Sequence, residues 1–178
     1  MKAAVHFLAL GASVLLFSAC TTPLFPSSVT QDVRPMDFGV LVAQPDVYRG
    51  QAVQLGGRIV GTETIEEGTL IRVRELKIQT HPVYGPAETV QATSEFAVLY
   101  PGRVDPAGLW YGNKLIVIAV AQGARTLNVD GALKVQPYVV ARCMHVWKTG
   151  GYGSYEIEDF PHTTDGYWPL EHETYCPA

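Results

Sequence analysis

From Gln51 onward the chain changes character: Val53, Leu55, Gly57 and Ile59 alternate with Gln54, Gly56 and Arg58. A period of two places one set on each face of an extended strand, so a half-buried sheet has to be built around this stretch. Gly56-Gly57 inside the alternation marks a bulge or a close backbone approach, as at the sharp bends of a small barrel. It is not a phosphate loop, because neither a Lys-Ser/Thr pair nor a helical pattern follows.

The segments that follow supply partners. Glu66-Glu67-Gly68 is a turn, and residues 70–78 return as a second strand. There Ile71 and Val73 share one parity and Leu76 and Ile78 the other, which predicts a bulge between Val73 and Leu76. Residues 81–91 form a turn-rich connection, and residues 95–100 a third strand closed by Pro101-Gly102. One helical turn fits after Asp105-Pro106. Residues 114–122 are apolar on both faces, which predicts a central fourth strand. Asp130-Gly131 favours a tight hairpin, and residues 138–147 make a fifth strand whose edge or kink Pro137 marks. Alternation puts Cys143 on the face of Ala141 and Val139. Upstream, Asp37 can cap a short helix through residues 38–42 that Pro45 ends. The expected fold is all-β: a small five-stranded OB-like Greek-key barrel with short helices and an irregular, disulfide-tied C-terminal tail. A lipocalin-like barrel is the competing solution, but it wants about eight strands.

The amino terminus reads differently. Met1-Lys2, an apolar run from Ala3 to Phe17 and the small pair Ser18-Ala19 make residues 1–19 a secretory signal peptide. Its core is too short for a permanent span. Ser18-Ala19-Cys20 resembles the bacterial lipobox, with Phe17 standing where Leu is usual. The resemblance implies that the Cys20 thiol carries diacylglycerol and becomes the acylated amino terminus. Thr21, where an Asp would signal inner-membrane retention, resembles the outer-membrane class. Each buried lipid methylene contributes about 0.8 kcal/mol, so several acyl chains hold a protein firmly. The longest later apolar run, Leu115 to Ala121, is only a strand's length. Residues 20–35 then read as lipidated Cys20 plus a flexible, Pro- and Ser-rich tether. Residues 36–178 are a single β-barrel domain that includes the tail 148–178.

The net charge is −4 and the basic residues are scattered, which argues against nucleic acid and against a polybasic membrane patch. With Cys20 committed to lipid, Cys143 and Cys176 remain as an even pair in an oxidising compartment, and a disulfide between them is expected. Closing a loop of that size stabilises by about 3–4 kcal/mol in the chain-entropy estimate.

No catalytic constellation stands out. Gly-Tyr-Gly-Ser-Tyr around Ser154 is not a nucleophile elbow, and Ser154, Asp159 and His162 form a trio that a polar loop supplies by chance. His145, His162 and His172, with Asp165 and Glu171, lack metal-ligand spacing, so neither metal nor cofactor is assigned. The aromatic tail offers Trp147, Tyr152, Tyr155, Tyr167 and Trp168 as a stacking surface for an envelope glycan or a protein, or simply as packing against the barrel. Two functions follow. The first is a non-enzymatic envelope module that binds or spaces components; the second is a small periplasmic hydrolase or ligand carrier that uses the tail.

Several stretches together resemble the Slp family of bacterial outer-membrane lipoproteins. They are the segment ending at Cys20, Pro45 to Gly50 leading into Val53 to Ile59, Phe96 to Tyr100 before Pro101-Gly102, and the run from Tyr138 through Cys143 and Trp147 to Tyr175-Cys176. The resemblance spans essentially the whole mature chain. It implies lipid anchoring at the outer membrane, the periplasmic face being favoured, and induction in carbon starvation and stationary phase. It carries no enzyme mechanism or ligand, so no catalytic residue comes with it.

Overall fold

A computed structural model describes residues 23–80, 84–87, 94–149 and 171–177. Two short helices, α1 (Ser27–Thr30) and α2 (Phe38–Ala43), and a 3-10 turn (Pro45–Tyr48) precede the sheet. The strands are β1 (Ala52–Ile65), β2 (Gly68–Glu75), β3 (Ile78–Gln79), β4 (Gly85–Pro86), β5 (Glu95–Tyr100), β6 (Lys114–Val129), β7 (Ala132–Trp147) and β8 (His172–Tyr175). Asp37 caps α2 as expected, its carboxylate accepting the Gly39 N–H at 2.7 Å.

The five long strands close on themselves. β5 pairs with β2, β2 with β1, β1 with β6 and β6 with β7, all antiparallel. The circuit is completed by a parallel pairing of β5 with β7 at Tyr138–Val140. β8 occupies the same edge of β7 further along, at Met144–Trp147. The end of the tail is therefore a strand rather than irregular chain.

Bends in this ring sit where an extra residue interrupts the ladder, and one expectation is corrected here. No bulge separates Val73 from Leu76: β2 simply ends at Glu75, and Ile78 joins a separate two-stranded sheet with β4. The irregularity lies across the hairpin, where Ile59 faces Val73 but Gly61 faces Arg72, leaving Val60 as the extra residue. The parity change in the sequence was the end of a strand, which alternation alone does not distinguish from a bulge. Gly57 is a point of close approach as expected, since a Cβ there would overlap the Arg74 carbonyl oxygen and the Val73 side chain. The β6–β7 turn is also as expected: Asp130 and Gly131 both have positive φ, 53° and 83°, which is the two-residue I′ geometry.

Residues from all five ring strands fill the interior, among them Val53, Ile59, Ile71, Phe96, Val117 and Met144. Two side chains plug the ends. Leu41 of α2 is fully buried, and Leu109, from the turn before β6, is 1% exposed. Side chains that fill the ring in this way leave a packed core.

The chain ahead of α2 is a second correction. Residues 23–35 do not behave as a tether: Phe25 is 6% exposed and packs with Ile116, Ile118, Cys143 and Trp147, while Leu24, Val29 and Val33 flank it. The Arg142 guanidinium donates to both Asp32 carboxylate oxygens, at 2.7 and 2.9 Å, and the Arg34 N–H reaches the Ala52 carbonyl at 3.3 Å. The physical reason is the two-faced apolar character of β6. Its inner face belongs to the core, and its outer face needs a cover, which this segment supplies.

Candidate functional site

Among the described residues, those singled out for chemistry, Cys143, His145, Trp147, His172 and Cys176, lie together on β7, β8 and the residue after it. Alternation from Val139 and Ala141 was expected to carry Cys143 on the same face, but Ile118 pairs with Cys143 whereas Ala119 pairs with Ala141, so Arg142 is an extra residue. That bulge reverses the pleat. Val139 and Ala141 therefore point into the ring while Cys143 packs outside it with Phe25. The register of β7 with β8 then brings Cys143 next to Cys176, and the two form a disulfide with Cα atoms 4.2 Å apart.

His145 and Trp147 follow on the same face, opposite Thr174 and His172. Trp147, expected as one possible stacking surface, is only 8% exposed and lies edge-on to His145 with ring centres 4.4 Å apart. It packs the sheet and is not a free platform. Tyr152, Tyr155, Tyr167 and Trp168 lie outside the described residues, as do Cys20, Ser154, Asp159 and His162.

His145 is 3% exposed, between Phe25 and Trp147. Its Nδ1 is 2.7 Å from the Thr174 hydroxyl, and its Nε2 has no partner among the described residues. Burial first, and then the neighbouring His172 ring at 5.0 Å, push its pKa down to about 4. A neutral imidazole is what such a position tolerates, because a charge there would be desolvated between two aromatic rings. Among the described residues no group of three or more His, Cys, Asp or Glu side chains is arranged to hold a metal ion.

An open groove of about 710 Å³ lies between Pro35–Gly39 on one side and Gln54–Gly56 with Glu75–Ile78 on the other. Burial pushes the Glu75 carboxyl up, against the opposing pull of Lys77. The groove can receive an extended segment, but it brings no nucleophile and base together. Sequence reasoning missed it because the groove exists only where Pro35–Gly39, Gln54–Gly56 and Glu75–Ile78, segments far apart in the chain, come together.

A disulfide of this kind, on a domain that is mostly strand, belongs to an extracytoplasmic protein. The family comparison agrees: the outer membrane lipoprotein Slp family model matches residues 17–175, and the chain belongs to that family. It is thus an outer-membrane lipoprotein. Neither the comparison with curated proteins nor that with solved structures returns a match.

Proposed function

We propose that the protein is a non-enzymatic envelope module, held at the outer membrane by lipid on Cys20 after removal of residues 1–19, with its domain on the periplasmic side. The observation that carries the non-enzymatic reading is how Cys143, Cys176 and His145, chemically able side chains among the described residues, are committed. Cys143 is bonded to Cys176, His145 is buried against aromatics, and the ring interior is filled. What remains for recognition is surface, including the open groove along Pro35–Gly39, which suits a glycan or a protein segment. The region matched to the family takes in Cys20, which supports the anchor, and the family resemblance supports a role in starvation stress.

The ring is read as an OB-type Greek key. Three consecutive antiparallel strands, β1, β2 and β5, are followed by β6, which returns beside β1, the spatial order of a Greek key. Five strands with bulged bends are the OB complement.

Mass analysis of the mature amino terminus tests the anchor. The expected result is a chain that begins at acylated Cys20, and Cys20→Ala should leave the protein unlipidated and away from its membrane. An unmodified Cys20 in membrane-derived protein would overturn the reading.

A further inference from the structure

Trp110 and Tyr111 are adjacent, 61% and 66% exposed, on the turn that leads into β6. The turn is held firmly. The Asn113 N–H donates to the Trp110 carbonyl at 3.1 Å and the Gly112 N–H to the Ile59 carbonyl at 2.9 Å. The Asn113 side-chain amide donates to the Gly108 carbonyl at 3.0 Å, and the Thr149 hydroxyl to the Gly112 carbonyl at 3.0 Å. Leu109, beside them, is locked in the core. Two large aromatics are thus presented to the outside from a fixed support.

The path of the amino-terminal segment says which way this turn faces. Phe25 packs with Trp147 and Ile116 near the start of β6, where Lys114 pairs with Trp147. Nine residues later the Arg34 N–H bonds Ala52, which pairs with Val120 further along β6. The chain therefore enters the domain at the end of the ring that carries Trp110 and Tyr111. From Cys20 to Pro23 it spans three residues, at most about 11 Å fully extended.

We propose that the Trp110-Tyr111 turn is a membrane-contact surface, seating both rings in the headgroup layer of the bilayer that holds Cys20. This rests on the lipid anchor proposed above. Trp and Tyr are the side chains that favour such an interface, having an apolar ring with a polar edge that stays hydrated. With a net charge of −4, the chain has little general attraction to anionic headgroups, so ring insertion rather than charge orients the domain.

The test uses the purified full-length lipoprotein, its acylation verified by mass, in phosphatidylethanolamine–phosphatidylglycerol vesicles that contain lipids brominated high on the acyl chain. Tryptophan emission is expected to be quenched relative to vesicles without bromine, and Trp110→Phe, at an exposed position, is expected to remove most of that lipid-dependent quenching. Emission indifferent to bromine, or quenching unchanged in Trp110→Phe, would overturn the membrane contact while leaving the anchor standing. An unacylated Cys20 would overturn both.

Discussion

The inside of the ring and the outer face of β6–β7 are both apolar, yet they are assembled by different means. Inside, five strands surround their own side chains, with Leu41 and Leu109 closing the ends. Outside, Ile116, Ile118, Cys143 and Trp147 are covered by the amino-terminal segment through Phe25, while the disulfide-held β8 extends the sheet along the edge of β7. The inner region is stabilised by mutual strand packing. The outer one depends on a small number of attachments, each of which can be removed singly. A strand apolar on both faces needs both arrangements, and only the second leaves handles for dissection.

Breaking the inside should cost most. Phe96→Ala removes the largest fully buried side chain of the core and is expected to destabilise by about 3–5 kcal/mol, read as a lowered denaturant midpoint. Gly57→Val, which forces a side chain into the Arg74 backbone, should be comparably harmful. Next comes the staple: Cys176→Ser should cost about 2–4 kcal/mol. Limited proteolysis should then remove β8 while the ring strands stay protected, and a β8 that remains resistant would mean that strand pairing alone holds it. Phe25→Ala empties the middle of the outer patch, with an expected loss of about 2–3 kcal/mol because the site lies nearer the surface and can partly collapse. Amide exchange should rise in residues 24–34 but not in β1 or β2. Equal exposure of the ring would show that the two regions are one cooperative unit.

The smallest effect sharpens the comparison through pH. The folded pKa of His145, about 4, lies below its ordinary 6.5. Between those values the unfolded chain binds more protons than the folded one, so stability rises with pH. The contribution is fully present above about pH 6.5 and is lost as pH falls toward 4, amounting to about 1–2 kcal/mol between pH 7 and 5. His145→Phe should flatten that part of the stability profile. An unchanged profile would assign the acid sensitivity elsewhere.

Much of the fold was legible because the signals were local. The alternation of Val53 to Ile59, the Asp37 cap, and the Asp130-Gly131 turn each depend on a few neighbouring residues, and each appears where expected. The errors concern pairing. Val60 and Arg142 are bulged residues that no local composition marks, because a bulge is defined by the strand opposite. The apolar spacing of Phe25, Val29 and Val33 was present but sat between prolines that read as a linker. Of the candidate site the residue types were legible, Cys143, Cys176, His145, His172 and Trp147, but not that pairing of β7 with β8 would gather them.

The sequence by itself pointed to the outer-membrane lipoprotein family and to a pair of thiols free to bond, since a lipobox-like stretch at Cys20 and two further cysteines speak of covalent chemistry and not of shape. It also determined that the domain is built of strands, because side-chain alternation follows from backbone geometry alone. Only the tertiary structure decided which face Cys143 occupies, that residues 23–35 cover β6, and that Trp147 and His145 are buried. Each of these depends on register between strands far apart in the chain. A one-residue shift of register exchanges the two faces of a sheet, and that shift is fixed by packing across the whole ring.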